Sequence, residues 1–339
     1  MASYSIVDVA KKAGVSKSTV SRVLTGGSVS EKTIQAVRRA MEELDYVPNR
    51  NAQGLRGAPT YTIGVAVSDP DALLRRSLTT RLAGMNHVFS QMGYSFLLIN
   101  GNPAKQDSIS TAFRFLEDCR IDGLIFLGDI EDEQQRNSLL HYRQIVYTGE
   151  RIHPHKGFRV YMGNYNYSRD LYLHLINRGH TNILTVYEHA NQRLLQRRNA
   201  AYQQVCQMFH RQPAEHSILD LYCVSSASKT QMETLYEQFS QGGFTAIFAD
   251  STELGNQIIS DFSQRGLRLK EDYSLVAIQR AADTGADPMI TSVCLPDFEY
   301  GLQCAQLMID ILQDPSMEYA DVQIPYSMEI RSSVKNLLE

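Results

Sequence analysis

The first 46 residues alternate short amphipathic segments with residues that end helices. A serine three positions ahead of an aspartate has capping-box spacing and predicts a helix over residues 6–13, which Gly14 ends. A second helix is predicted over residues 17–24, and a third is predicted to begin after Ser30. Three short helices, the first two joined at a glycine, are typical of a helix-turn-helix motif.

The second of these helices has two chemically different sides. At about 100° per residue, three apolar side chains share the side that faces a core: Val20, Val23 and Leu24. Long cations can read guanine edges in the major groove, and small hydroxyls permit close approach to the bases. The side chains predicted to read bases are Lys17, Ser18 and Arg22. The side chains suited to phosphate contacts are Ser16, Thr19, Ser21 and Asn49. A small helical subdomain used only for packing or protein contact is the alternative.

From Tyr61 onward, short β-rich runs alternate with helix-length amphipathic stretches, which is typical of parallel α/β layers. A first series of strands is predicted at residues 62–67, 95–99, 123–127 and 145–147. A second series is predicted at residues 182–187, 216–223, 246–248 and 274–278. Residues 91–98 and 177–184 faintly repeat one pattern, a helix end, a glycine and a strand entry. Two series indicate two lobes with a ligand cleft between them, beyond the carboxyl ends of the strands.

Composition excludes several classes of protein. A length of 339 residues favours two or three domains, and 43% hydrophobic with 21% charged residues is typical of a soluble globular chain. The longest apolar runs are too short to cross a bilayer, and the amino terminus lacks a secretory signal, so we expect a cytoplasmic protein without a membrane partner. Five scattered cysteines without a C-x-x-C pair are expected to be reduced packing residues.

The charge is unevenly distributed. Residues 1–57 hold nine basic and five acidic residues, whereas the remainder of the chain holds 24 basic and 32 acidic ones. A basic head on an acidic body indicates that the head meets a polyanion, and nucleic acid is the common polyanion of a cytoplasm.

The head resembles the headpiece signature of LacI/GalR-family bacterial repressors. The resemblance rests on residues 6–24, on Val29 and Ser30, and on the run from Tyr46 to Asn49. It implies a headpiece over residues 1–46 and a hinge over residues 47–59 that becomes helical on operator DNA. The resemblance also implies that five residues of the hinge region contact DNA: Asn49, Arg50, Ala52, Leu55 and Arg56. Leu55 is the expected minor-groove wedge, since flanking arginines can hold the backbone while a leucine unstacks a base step. Gly54 disfavours hinge helix formation, and a flexible linker is the alternative interpretation.

The body, residues 60–339, is similar to the effector domain of the same family. The fold implied is α/β, with an N-terminal helix-turn-helix headpiece and a two-lobed effector domain like the periplasmic binding proteins. The chain is expected to cross between lobes near residues 160, 291 and 320. The first lobe then comprises about residues 60–160 and 291–320, and the second comprises about 161–290 and 321–339.

The resemblance also marks candidate effector-binding residues. These are Asp69, Arg75, Asn164, Arg198, Asp250, Gln279 and Arg280. Three acidic positions of the family's sugar site are replaced here, which removes acceptors for sugar hydroxyls. Arginines can grip phosphate or carboxylate groups through two parallel hydrogen bonds, so we expect an anionic effector. The alternatives are a cleft whose arginines pair internally with Asp69 or Asp250, and an ordinary neutral sugar.

Together these features predict a DNA-binding regulator, expected to be a homodimer on a pseudo-palindromic operator. A tetramer of the kind that the family builds with a leucine-rich helical tail is not expected. No acyl-transfer, dinucleotide or phosphate-loop motif is present, so we expect no catalytic residues, no cofactor and no metal. A cytosolic small-molecule binding or enzymatic α/β protein with an incidental helical head is the alternative function.

Overall fold

The computed structural model describes residues 4–24, 27–46, 59–67, 76–100, 108–128, 130, 132–149, 151–188, 192–212, 217–221, 223, 226–280 and 289–339. Within them, three helices are followed by two parallel-stranded sheets covered by helices. The predicted hinge contacts lie outside the described residues: Asn49, Arg50, Ala52, Leu55 and Arg56.

The three head helices form as the sequence predicts. They are α1 (Ile6–Ala13), α2 (Lys17–Leu24) and α3 (Glu31–Glu43). The Asp8 carboxylate accepts hydrogen bonds from the Ser5 amide at 2.8 Å and the Ser5 hydroxyl at 2.7 Å, which stabilises the first turn of α1. Gly14 ends α1 with a left-handed φ of 65°. The core of this small domain is built on fully buried valines, one from each helix: Val9, Val20 and Val37.

The first lobe is built on a six-stranded parallel sheet of order β11-β5-β4-β3-β1-β2. Its strands are β1 (Thr62–Val67), β2 (Ser95–Asn100), β3 (Gly123–Leu127), β4 (Ile145–Tyr147), β5 (Phe158–Met162) and β11 (Asp321–Ile324). Its helices are α4 (Arg76–Gln91), α5 (Ser108–Glu117), α6 (Glu133–Ser138) with a 3₁₀ turn at Leu139–His141, and α11 (Asp297–Gln313). Hydrophobic cores cover both faces of this sheet, so central strands such as β3 are buried along their whole length.

The second lobe repeats this plan with the order β12-β10-β9-β8-β6-β7, in which only β12 is antiparallel. Its strands are β6 (Ile183–Tyr187), β7 (Ile218–Asp220), β8 (Ala246–Ala249), β9 (Ser274–Arg280), β10 (Thr291–Leu295) and β12 (Ser327–Glu329). Its helices are α7 (Asn164–Ile176), α8 (Gln192–Met208), α9 (Lys229–Gln241) and α10 (Thr252–Gln264). The predicted repeat is confirmed, since Gly93 and Gly179 both have left-handed φ angles where a helix ends and a strand follows.

Sheet membership places two of the lobe crossings differently from the sequence analysis. Residues 291–295 form β10 in the second sheet, although they were expected in the first lobe, and residues 321–324 form β11 in the first sheet. The second and third crossings therefore follow Leu295 and Ile324, a few residues later than predicted. β10 belongs to the second sheet because it pairs with β9, and β11 belongs to the first because it pairs with β5. No local pattern in the sequence indicates these pairings.

The strand predictions were incomplete at the sheet edges and next to them. Within the described residues, the stretch predicted as a strand over residues 216–223 forms only Ile218–Asp220. Four strands were not predicted: β5, β10, β11 and β12. The edge strands β11 and β12 carry exposed polar side chains, so they lack the apolar signal of buried strands. All five cysteines are free, and three are buried as expected of packing residues: Cys206, Cys223 and Cys304. Cys294 is half-buried, and the exposed Cys119 does not fit the expectation.

His174 lies in the last turn of α7 and is 7% exposed. Its Nδ1 lies 3.0 Å from Arg178 Nη1, and because a guanidinium can only donate, Nδ1 accepts and the ring proton sits on Nε2. Burial, reinforced by the charges of Arg178 and His180, lowers the pKa of His174 from 6.5 to about 4. The imidazole is therefore neutral in the folded protein at neutral pH.

We expect the free energy of unfolding to decrease by about 2 kcal/mol from pH 7 to pH 5 on account of His174. The unfolded imidazole takes up a proton near its usual pKa, whereas the folded one remains neutral until about pH 4. Urea unfolding across this range measures the loss, which His174→Gln should largely remove. His141→Gln, at an exposed ring, serves as the control and should preserve it. An unchanged pH dependence in His174→Gln would contradict the assignment.

Candidate DNA-binding surface and effector cleft

The exposed face of α2 has the chemistry that the sequence predicted. Lys17, Ser18 and Arg22 are exposed, whereas Thr19 and Ser21 are half-buried. The opposite face packs into the head core through Val20. Two cations and a small hydroxyl are therefore exposed on one short helix, where they could enter the groove of a DNA duplex.

Ser16 has a structural role in addition to its predicted contact with a phosphate. Its hydroxyl oxygen accepts the Thr19 amide at 3.1 Å and so caps α2. The same oxygen lies 2.7 Å from Ser18 Oγ and 2.8 Å from Thr19 Oγ1. These contacts hold three hydroxyls in one array at the amino end of the helix, where the backbone amides favour an anion.

The structure brings four of the predicted effector residues to the carboxyl edge of the second sheet. Asn164 begins α7, Asp250 directly follows β8, Arg280 ends β9, and Arg198 lies in α8. Asp69 and Arg75 lie outside the described residues. In a parallel sheet this edge is where ligands bind, because the loops that follow the strands converge there.

Arg198 and Asp250 form a buried ion pair. Arg198 Nη1 lies 2.6 Å from Asp250 Oδ1, and their side chains are 2% and 17% exposed. The guanidinium also stacks on the rings of Tyr187 and Phe248 at 4.9 and 5.6 Å. Burial opposes its charge, but Asp250 holds the pKa of Arg198 well above the usual value. This arginine is therefore already matched by one carboxylate.

Arg280 is held by a carboxylate that the sequence analysis did not consider. Its Nη1 lies 3.1 Å from both oxygens of Asp297, and Arg81 Nε donates to Asp297 Oδ1 at 2.7 Å. Asp297 is fully buried, whereas the two arginine side chains are 28% and 21% exposed. Burial disfavours the ionised carboxylate, but Arg280 and Arg81 lower the pKa of Asp297 below its usual range. One carboxylate thus serves two guanidinium groups.

Close helix packing brings this triad together. A Cβ at Gly84 of α4 would lie 2.1 Å from the Phe298 carbonyl oxygen, and one at Gly301 of α11 would lie 1.9 Å from that of Arg81. Only glycines at both positions allow the two backbones to touch. The contact places Arg81, in the second turn of α4, beside Asp297 at the first turn of α11. The triad joins the first lobe to the end of β9 in the second.

Two other predicted residues are engaged within the protein. Gln279 accepts hydrogen bonds from Ser292 Oγ at 2.9 Å and from Arg331 Nη1 at 3.1 Å. Neither contact involves Arg198 or Arg280. Asn164 Oδ1 accepts the hydroxyl of buried Tyr167 at 2.7 Å. Its other amide group is not committed by that contact, so Asn164 retains donors for a ligand.

Sequence reasoning missed Arg81 and Asp297. An acidic residue at the first helical position after a strand and a proline is a recognisable helix start, and the sequence carries that signal at Asp297. Nothing local distinguishes Arg81 from other arginines on amphipathic helices. Their meeting depends on two segments 216 residues apart.

Within the described residues, no three histidine, cysteine or acidic side chains are grouped as a metal site would require. The helices in the described ranges include none long and apolar enough to cross a membrane.

Comparison with known families agrees with this architecture. The model described as bacterial regulatory proteins, lacI family, matches residues 5–49, and the periplasmic binding protein-like domain matches residues 172–334. The chain belongs to the LacI family of bacterial regulatory proteins. This LacI-family chain is 25% identical to the catabolite control protein A of Priestia megaterium, over 97% of its own length and 99% of that protein. It is 39% identical over 132 residues to the sucrose operon repressor of Staphylococcus xylosus, covering 38% of this chain and 39% of the relative.

A solved structure confirms the fold of this LacI-family protein. It resembles the lac repressor dimer bound to operator and the anti-inducer ONPF, with a TM-score of 0.77 and 22% identity over 98% of this chain and 99% of that one. The prediction of a helix-turn-helix head and a two-lobed α/β body is confirmed. The relatives are transcription regulators, so this LacI-family chain is a DNA-binding regulator and not an enzyme.

Proposed function

We propose that this regulator represses genes of carbohydrate or related metabolism as a homodimer on a pseudo-palindromic operator, under the control of a small anion in the inter-lobe cleft. The names of its relatives, a catabolite control protein and a sucrose operon repressor, support the metabolic class. Two-fold symmetry matches a palindrome, since each half-site then meets an identical head.

The DNA-reading role rests on α2. Its exposed face presents Lys17, Ser18 and Arg22, while Val20 anchors the helix in the head core. Bases are read by Lys17, Ser18 and Arg22 in this proposal, and the hydroxyl array at Ser16 meets a phosphate. The hinge residues that complete this interface are Asn49, Arg50, Ala52, Leu55 and Arg56.

The proposal of an anionic effector rests on the Asp297 carboxylate, which Arg81 and Arg280 share. Arg81 and Arg280 both depend on this carboxylate, so the triad holds an excess of positive charge in a partly exposed site. A phosphate or carboxylate between the two guanidinium groups would balance that charge through charge-assisted hydrogen bonds. Asp69, Arg75, Asn164, Arg198, Asp250 and Gln279 are the other predicted effector residues.

Two alternatives have support of their own. The name of the sucrose operon repressor favours a neutral sugar. The ion pairs of Arg198 with Asp250 and of Arg280 with Asp297 favour a cleft whose arginines are satisfied internally. Asn164 and the pair with Asp250 would serve a sugar hydroxyl equally well.

A thermal-shift series separates these possibilities. We expect glucose 6-phosphate to raise the unfolding temperature and neutral glucose or sucrose to leave it unchanged, since a ligand at 100 times its Kd adds about 2.7 kcal/mol. Arg280→Gln should abolish the shift that arises at the cleft without unfolding the protein, because Asp297 keeps Arg81 as its partner. Arg268→Gln, at an exposed arginine, is the matched control. Stabilisation by the neutral sugars alone, or by none of the compounds, would contradict the anionic effector.

A further inference from the structure

A second concave site lies on the outer rim of the first lobe. It is a groove of about 530 Å³ between residues 151–157, which lead into β5, and residues 316–321, which lead into β11. We call it the rim groove. Its volume falls within the range of small-molecule sites, roughly 300–1,000 Å³.

The rim groove is separate from the effector cleft. Both β5 and β11 begin at the groove, whereas the lobe crossings follow the opposite ends of these strands. At about 3.3 Å per residue, the five residues of β5 put the two sites on the order of 15 Å apart. A ligand in one site therefore cannot touch the guanidinium groups of the other.

The walls of the rim groove carry more cations than carboxylates. Three cations line it, Arg143, Arg151 and Lys156, together with His153 and His155, against the two carboxylates of Glu318 and Asp321. Asp321 is already neutralised, because it pairs with Arg151 and lies 3.3 Å from Nη1 of Arg159, a further cation beside the groove. A positive excess therefore remains on this surface.

Carbonyl groups hold the two arginines of the groove in place. They leave the charge of Arg143 uncancelled, whereas Arg151 also pairs with Asp321. Arg143 donates to the Met317 carbonyl and lies over the Tyr319 ring at 4.7 Å. Arg151 donates to the Pro154 carbonyl at 2.6 Å. Carbonyl contacts order the side chains in advance, which reduces the entropy lost when an anion binds.

The histidine pair adds an oriented donor. His153 Nδ1 accepts the backbone amide of His155 at 3.1 Å, so the neutral ring carries its proton on Nε2. Together with the exposed ammonium of Lys156, this arrangement offers hydrogen-bond donors from the 151–157 loop to the groove. Donors of this kind suit the several acceptor oxygens of a phosphate group.

We propose that the rim groove is a second ligand site that binds a small phosphate-bearing metabolite independently of the cleft. Its concave shape favours a small molecule over duplex DNA. The cations supply the affinity, and the aromatic walls at Tyr147 and Tyr319 cover the uncharged part of the ligand.

Calorimetric titration of the full-length protein tests this site, with glucose 6-phosphate as the probe and glucose as its neutral match. The titration uses Arg280→Gln as the background, so that binding at the cleft does not mask the rim. We expect this background to bind the phosphate ester, and adding His155→Gln with Lys156→Gln to weaken binding by about tenfold or more. Adding Lys229→Gln instead, at an exposed lysine of α9, is the control and should leave the affinity unchanged.

The outcomes are distinct from those for the cleft. Loss of all glucose 6-phosphate binding in Arg280→Gln overturns the rim site but leaves the proposed cleft effector intact. Equal affinity with and without the His155 and Lys156 changes also overturns it, as does equal binding of glucose. A marked fall in operator affinity of the His155→Gln/Lys156→Gln variant without any small molecule would assign the surface to DNA instead. Circular dichroism confirms that each variant is folded.

Discussion

Replacing Arg22 by alanine is expected to weaken binding to a palindromic operator by about ten- to a hundredfold. Arg22 is exposed on the face of α2 opposite the head core, so truncation removes a donor without disturbing packing. A well-oriented arginine contact to a base edge is worth about 1–3 kcal/mol of discrimination. Sequence preference should therefore fall together with affinity.

Fluorescence anisotropy with an operator selected from a random library, measured against random duplex at several salt concentrations, gives both quantities. Arg39→Ala is the matched control, because Arg39 is an exposed arginine of the same head that lies on α3. It should preserve the preference for operator. If Arg22→Ala retained full discrimination, α2 would not be the reading helix, and the alternative of a head used only for packing would regain support.

Replacing Asp297 by asparagine is expected to cost about 3 kcal/mol of folding free energy. The change keeps the size of the side chain but leaves Arg81 and Arg280 without their shared charge, in a site where the carboxylate is fully buried. Removing one member of a buried ion pair is costly because the remaining charge stays desolvated. The arginines here belong to different lobes, so loss of the carboxylate should also loosen the junction.

Urea unfolding of Asp297→Asn beside Asp310→Asn, at a partly exposed aspartate on the same helix, measures this cost. The double variant Asp297→Asn/Arg280→Gln should lose less than the sum of the single losses, since the two changes remove the two sides of the same ion pair. Strict additivity, or an Asp297→Asn variant as stable as Asp310→Asn, would show that the triad contributes little.

Burial explains some of the strand predictions but not all of them, since the interior strands β5 and β10 were also not predicted. Strands β1 and β3 are continuous apolar runs buried on both faces, and the sequence predicted their bounds. The edge strands β11 and β12 were not predicted, because half of each strand faces water and carries polar side chains. The predicted stretch at 216–223 was too long for a similar reason, since β7 is a short edge strand of half-buried residues.

The candidate site divides in the same way. Arg198, Asp250 and Arg280 were predicted because each lies near a strand end or matches a family motif, and the structure gathers them at one sheet edge. The partner of Arg280 was not found, because Asp297 reaches it only after the chain crosses between lobes. The rim groove was equally hidden. The His153-Pro-His155 segment is an ordinary polar loop until residues 316–321 face it across the first lobe.

By itself, the sequence determined the helix-turn-helix head, the cationic exposed face of its second helix and the α/β class of the body, because these depend on local periodicity, capping and side-chain chemistry. The tertiary structure alone decided where the lobes exchange strands, that one buried carboxylate serves two arginines, and that two distant loops enclose a cationic groove. Each of these results from contact between segments far apart in the chain, and such contacts leave no periodic signal in either segment.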